Sequence, residues 1–329
     1  MLSTPNHAET HVFHDQFLSL GTLIELSIRT GDAALAHEAF GVLEDDFAYW
    51  HDNWHAWNPG DLQRLNRQLP GGGCIAAPDL IPLIERAQAS SRTSRGLFDP
   101  AIGRLVELWG FNGGAGPRTP PSAEAVTRLV KQAPAMDDLE INGRCVRSGN
   151  PAVMLDLSGF AKGYAVDNAI ETLKTMGVTD AVVNAGGDVR AIGRHGNRPW
   201  SIGIQHPRAE GVIAWLNISD GEAVFTSGDY ERFFRYQGKR YQHILDPRDG
   251  YPVGETASAT VVHSVGDVAD AAATALVVAG PDEWTKIARN MDIDQAMLID
   301  RAGRIYITPK LAERIHFIDI PAEKIIIER

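Results

Sequence analysis

Apolar and polar positions alternate through residues 12–28 on either side of Gly21, a period of two that predicts two strands or one bent strand. From Asp32 the period lengthens. Leu35, Phe40, Leu43 and Phe47 form a helical stripe, which predicts a helix capped by Asp32 and running to about Trp54. Asn58-Pro59-Gly60 breaks that pattern, and Asp61 caps a short helix bearing Leu62, Leu65 and Leu69 that stops at Pro70-Gly71-Gly72-Gly73. Helices are predicted near 78–94, 100–109 and 122–134, the last two separated by a loop from Gly113 to Pro121. From Leu139 the pattern shortens to strands, with Asn142-Gly143 as a hairpin turn. A helix over about 159–176 interrupts them. Strands then follow near 180–184, 188–193, 200–205, 212–218, 222–226, 231–236, 240–245 and 257–263. Helices over 267–279 and 281–290 precede a last hairpin, Ala296 to Ile307, around Arg301-Ala302-Gly303.

Runs of strands with helices between them predict an α+β fold, without a regular βαβ repeat. The expected organisation is one domain over residues 1–329, built of two intimately packed lobes whose character changes near 138. Composition adds little: 44% hydrophobic and 22% charged residues are the values of an ordinary globular protein. A net charge of -11 and the absence of any Lys/Arg-rich run argue against nucleic acid as a partner. Cys74 and Cys145 are too few and too far apart for a thiolate metal site or a disulfide framework, and are expected to be ordinary thiols. No apolar stretch approaches the roughly 20 residues of a membrane span, and Met1 to His14 is polar, so a cytoplasmic protein without membrane insertion is expected.

Three segments carry candidate chemistry. In the first, an apolar strand-like run ends at Asp156, and a Ser158-Gly159 turn leads into a helix with Ala161-Lys162-Gly163 in its first turns. Free helix-terminal N–H groups beside a lysine suit phosphate, although the spacing is not that of a Walker loop. The same segment also reads as a structural strand–turn–helix with a solvated lysine. In the second, Asp270 and Thr274 stand four apart on a predicted helix and share a face, with alanines between them that permit close approach. A carboxylate and a hydroxyl make a hard-oxygen pair suited to Mg²⁺; a helix-dipole aspartate and a packed threonine are the alternative. In the third, His243 lies at a strand end before Asp246-Pro247, as an acid/base group, a phosphate contact or a structural histidine. His51 and His55, four apart on a helix, resemble a zinc-protease pair, but Asp52 replaces the longer glutamate base, and two structural histidines are expected.

Further blocks stand in order along the chain: Leu65-Asn66, Gly96-Leu97-Phe98-Asp99-Pro100, Leu108-Trp109-Gly110-Phe111, Asn184 to Asp188 and Thr226-Ser227-Gly228-Asp229-Tyr230. Together with Asp156 to Asp167, His243 to Pro247 and Asp270 to Thr274, they resemble the ApbE-like FAD:protein FMN transferases from about Leu20 to the C-terminus. The resemblance implies a two-lobed, T-fold-related architecture, with antiparallel or mixed sheets flanked by helices. It also implies a Mg²⁺-dependent transferase that binds FAD, moves FMN through a phosphoester bond onto a Ser or Thr of an acceptor protein, and releases AMP.

By that family pattern the metal ligands are the Asp270 carboxylate, the Thr274 hydroxyl and the main-chain oxygen of Ala161. FAD would contact Leu20, Leu97, Phe98, Asp99, Ser158, Tyr164 and the run His243-Ile244-Leu245. Catalysis would draw on His243, as the base or a phosphate contact, on Lys162 opposite the growing charge, and on Asp270. The acceptor is expected to be another protein, a redox subunit carrying a Ser/Thr flavinylation motif, because no Asp-Gly-x-Ser/Thr-Gly-Ala/Ser-Ser/Thr stretch occurs here. Hydrolysis of FAD to FMN and AMP, or flavin carriage without turnover, would use the same parts. Two departures stand out. Leu20 replaces the Met of many relatives, and Ala101 and Arg104 stand where relatives often carry Thr and Pro.

Overall fold

A computed structural model describes residues 10–72, 79–113 and 118–327. The order of elements begins with strands β1 (His11–Ser19) and β2 (Thr22–Thr30) and helices α1 (Ala33–Asn53), α2 (Asp61–Gln68), α3 (Leu80–Thr93), α4 (Gly103–Leu108) and α5 (Ala123–Lys131). Strands β3 (Leu139–Asn142) and β4 (Cys145–Ser148), helix α6 (Ala161–Thr175) and strands β5 (Ala181–Ala185), β6 (Asp188–Ile192), β7 (Trp200–Gln205), β8 (Val212–Ile218) and β9 (Ala223–Gly228) follow. Then come β10 (Phe233–Tyr236), β11 (Lys239–Gln242), β12 (Thr256–His263), α7 (Gly266–Asn290), β13 (Ala296–Asp300), β14 (Ile305–Ile307), α8 (Pro309–Ala312), β15 (Ile315–Phe317) and β16 (Ile325–Ile327).

Nine strands form one sheet in the order β1-β2-β5-β6-β9-β12-β13-β14-β16, with β14–β16 parallel and the other pairs antiparallel. The alternation along each strand explains the layers. Ala223, Phe225, Ala259 and Val261 join Leu43, Ala165, Ala272 and Leu276 in the core between the sheet and helices α1, α6 and α7. Val224 and Val262, one residue out of phase, pack instead with Ile213, Leu216 and Ile315 of the three-stranded sheet β15-β8-β7. β12 is therefore covered on both faces, and its residues Thr256 to Val262 are buried without a break. A third cluster, around Leu105, Trp109, Phe111 and Val126, supports the β10–β11 hairpin through Phe234 and Tyr241.

The α+β class stands, and so do most element positions. Asp32 caps α1 by accepting from the amides of Ala34 at 2.9 Å and Leu35 at 3.1 Å. α7 runs through a break at Gly280, whose φ of 69° and following Pro281 divide it where two helices are expected. The expected strand through residue 245 ends at Gln242, because beyond it the backbone leaves the ladder; Val253 N donates to the carbonyl of Ile244 at 3.0 Å. The expected helix at 100–109 starts only at Gly103, since Asp99 accepts the Ala101 amide at 2.9 Å and holds a turn there.

Cys145 is disulfide-bonded, a correction to the expectation of two ordinary thiols. The sequence's other cysteine, Cys74, lies outside the described residues. Linear spacing carries no information about such a contact. No helix among the described residues is long and apolar enough to cross a membrane.

Candidate active site

Two helices set up the site. The Asp167 carboxylate of α6 accepts from the amide of Gly266 at 2.9 Å and from that of Asp267 at 3.2 Å, so one helix caps the next. Arg190 pairs with Asp167 at 2.5 Å, and Arg86 with the buried Asp267 at 2.6 Å, which fixes the start of α7. Glycines allow the crossing. A Cβ on Gly163 would lie 2.6 Å from the carbonyl oxygen of Gly266 and 2.8 Å from the Asp270 Cβ. At that contact Gly163 N donates to Asp270 Oδ2 at 2.9 Å.

Asp270, only 4% exposed, and Thr274 thereby sit against the start of α6 and line a cleft of about 310 Å³. Thr274 Oγ1 lies 3.0 Å from Ser227 Oγ on β9. Lys162 enters the same cleft and pairs with Asp188, whose other oxygen accepts the Thr226 amide at 3.0 Å. Burial opposes the Lys162 charge, but Asp188, Asp270 and Glu231 outweigh it and hold the ammonium above its usual range. Burial pushes the Asp270 carboxyl up, with Asp188 adding to the shift and Lys162 opposing it. Asn66 steadies the entry to α6: its side chain exchanges two bonds of 2.8 Å with the backbone of Leu155.

The opposite wall is the 229–245 segment. His243 N and Nδ1 approach the Arg232 carbonyl at 3.1 and 3.2 Å. A carbonyl can only accept, so Nδ1 carries the proton and Nε2 keeps its lone pair. Burial, aided by Arg232 and Lys162, pushes the imidazole down to about 3. Arg232 itself reaches Ser158 Oγ at 3.3 Å. A second cavity of about 180 Å³ adjoins the first; it is lined by His51, Trp54, His55, Trp57 and Phe111, and shares Leu20, Asp156, Ser158, Lys162 and Arg232 with it.

The structure brings together Leu20, Leu97, Phe98, Asp99, Ser158, Lys162, His243, Ile244, Leu245, Asp270 and Thr274 around the first cavity, with Ala161 on the second. Tyr164 lines neither; it packs between Trp54, at 5.6 Å, and Phe160, at 6.4 Å between ring centres. The expected N–H cradle at the start of α6 is largely spent, since Ala161 N bonds the Leu157 carbonyl at 2.8 Å and Gly163 N holds Asp270. Ala101 and Arg104 also stay off the cleft, and Arg104 binds the carbonyls of Ala152 and Pro151 at 3.0 and 3.1 Å.

Sequence reasoning missed Arg232, which no periodicity marks and which lies two residues beyond a motif block, and it missed the aromatic chamber. His51 and His55 belong to that chamber. His51 Nδ1 accepts the Leu20 amide at 3.2 Å, and His55 Nδ1 accepts those of Trp57 and Asn58 at 3.1 Å. Among the described residues no cluster of three or more His, Cys, Asp or Glu could hold a metal. The donor set at Asp270 is of another kind, with a carboxylate and a hydroxyl one helical turn apart, and its all-oxygen character fits a hard divalent cation.

Residues 20–298 match the ApbE family. A FAD:protein FMN transferase of Rhodobacter capsulatus is 41% identical over 306 residues, 93% of this chain but 58% of that protein. One from Klebsiella pneumoniae is 33% identical over 263 residues, 78% of each chain. The crystal structure of an ApbE protein from Thermotoga maritima superposes with a TM-score of 0.85 at 30% identity, covering 92% of this chain and 99% of the other.

Proposed function

The chain belongs to the ApbE family, and on that premise we propose that it moves the FMN half of FAD onto a Ser or Thr hydroxyl of an acceptor protein and releases AMP. The observation that carries the proposal is the convergence of α6, α7 and the 229–245 segment on a two-chambered cleft. Its shared wall holds Lys162 and Arg232. An aromatic chamber suits a flat ring system, and two cations where the chambers meet suit the diphosphate of a dinucleotide.

The Asp270 carboxylate and Thr274 hydroxyl, with the main-chain oxygen of Ala161, would hold Mg²⁺. Bound there, the ion supplies charge neutralisation at the phosphoryl oxygens. The rest falls to the chain. Lys162, kept charged by three carboxylates, offsets negative charge on the diphosphate as AMP departs. Gly163 N–H keeps one Asp270 oxygen oriented, and Asp270 lines the cleft. Nε2 of His243 is aimed by the Nδ1–H bond to Arg232 and accepts the proton of the incoming hydroxyl. Its low proton affinity in the free cleft is set by burial, Arg232 and Lys162, and the substrate's anionic diphosphate raises it when bound. The acceptor is another protein, with its Ser or Thr in an extended segment able to enter the cleft.

The test is purified chain with FAD and Mg²⁺, with and without a Ser/Thr acceptor peptide, following AMP and peptide mass. FMN-labelled peptide supports the proposal. AMP and FMN without labelled peptide would mean hydrolysis, and bound FAD with no product would mean a carrier.

A further inference from the structure

Residues 232–241 read Arg-Phe-Phe-Arg-Tyr-Gln-Gly-Lys-Arg-Tyr, with four cations and no acid in a chain of net charge -11. In sequence the cations are interleaved with aromatics and form no run. Folding places two of them, Arg235 and Arg240, on one face. Gln237 and Gly238, both at positive φ (47° and 78°), close the β10–β11 hairpin and set Arg235 directly opposite Arg240. Like charges placed directly across a ladder cost stability.

The two faces of the hairpin differ. On one, Phe234 stacks on Tyr241 at 5.2 Å, and the pair packs on Phe111 and Trp109, each at 5.7 Å between ring centres. That face is anchored. The other carries Phe233, 39% exposed, the exposed Arg235, and Arg240, whose guanidinium lies 3.7 Å over the Phe233 ring. Arg208 from the β7–β8 connection and Arg301 from the β13–β14 connection converge beneath it. They reach Asp229 at 2.6 and 4.0 Å, and Arg240 reaches it at 3.8 Å. One carboxylate, 1% exposed, thus serves three guanidinium groups, and Arg240 Nε is buried without a partner. Burial lowers the proton affinity of Arg240, and Arg208, Arg235 and Arg301 lower it further against the pull of Asp229. The patch abuts the cleft, because Gly228, Glu231, Arg232 and His243, which flank Asp229 and the hairpin, line it.

We propose that this hairpin face, with Arg208 and Arg301, docks an acidic segment of the acceptor protein and leads its hydroxyl to the cleft. The occupant follows from charge. A negatively charged partner is repelled by the molecule as a whole and attracted only where cations exceed carboxylates, which both orients it and places it at the cleft mouth. The inference rests on the transferase reading, and the two fail in different ways.

The test compares two peptides with the same central Ser/Thr, one flanked by Asp and Glu and the other by Asn and Gln. Each is assayed by fluorescence anisotropy for binding and by mass for FMN labelling, on the native chain and on Arg235→Glu. Arg235 is exposed and lies outside the cleft lining. The native chain is expected to bind the acidic peptide more tightly, less so as salt rises, and the variant to lose about tenfold in affinity and in kcat/KM for that peptide only. The KM for FAD should not move, and Arg235→Gln should fall between. Equal binding of the two peptides by the native chain, equal losses for both in the variant, no loss at all, or a raised KM for FAD each overturns docking. Selective, charge-dependent binding without labelling would leave docking intact and sink the transferase reading instead.

Discussion

Replacing Gly163 by alanine should separate the two helices that build the site. In an open helix position the exchange is favourable by about 1 kcal/mol, because glycine has more backbone freedom to lose on folding. Here the new methyl would sit 2.6 Å from the Gly266 carbonyl oxygen, 2.7 Å from the Asp267 Cα and 2.8 Å from the Asp270 Cβ. Two of those atoms are backbone, so no side-chain rotation relieves the contact, and α7 must move. Overpacking of this kind costs about 1–3 kcal/mol, and the helix-propensity gain offsets only part of it. A net loss of up to about 2 kcal/mol lowers Tm by roughly 1–3 °C in a chain of this size. The movement also lengthens the Gly163–Asp270 hydrogen bond, so turnover should fall more than tenfold even at temperatures where the fold is intact. Gly41 on α1 is the internal control, since a Cβ there meets nothing within 4 Å. Gly41→Ala should raise Tm slightly and leave turnover alone. Calorimetry and AMP release on both variants decide it; if Gly163→Ala is as benign as Gly41→Ala, the close crossing of α6 and α7 is wrong.

Asp270→Asn should abolish Mg²⁺-stimulated AMP release while Tm stays within a few degrees, and full activity with Mg²⁺ would remove that carboxylate from the metal. Thr274→Val keeps the side-chain shape, costs about 1 kcal/mol through the orphaned Ser227 hydroxyl, and should raise the Mg²⁺ concentration needed for half-maximal rate; an unchanged requirement counts against its hydroxyl. Burial raises Asp99 from 3.8 to about 6, so the folded protein holds that proton more tightly than the unfolded chain, and stability is lost as pH rises from 3.8 through about 6. Asp99→Asn should therefore gain about 2 kcal/mol over the native chain at pH 8 relative to pH 4, and parallel stability–pH curves would show that this carboxyl is not strained. His243, pushed down to about 3, should show no titration between pH 5 and 8 in the free protein by NMR; a midpoint near 6.5 would contradict its burial beside Arg232.

Local chemistry made much of this legible in the sequence. The positive φ values at Leu20 and Gly21 (49° and 76°) turn the β1–β2 hairpin where alternation on either side of Gly21 places it. The four-residue spacing of Asp270 and Thr274 does bring them to one cleft wall. What stayed hidden depends on long-range pairing. β15 joins β8 across about a hundred residues, with Ile315 opposite Leu216, and β16 runs parallel to β14, and neither pairing has a local signature. Arg232 matters through its carbonyl and its place between two chambers, and the three-arginine cluster at Asp229 draws on the connections after β7 and β13 and on β11. Tyr164 shows the converse: it sits within a motif block, yet its ring belongs to the packing around Trp54.

The most direct measurement is the ratio of AMP released to FMN covalently attached when the chain, FAD and Mg²⁺ meet an acceptor peptide with a single Ser or Thr. One AMP for each labelled peptide, with both products lost when Mg²⁺ is chelated, is the expected result. AMP accumulating with no label on the peptide, or label appearing at full rate without a divalent ion, would contradict the account.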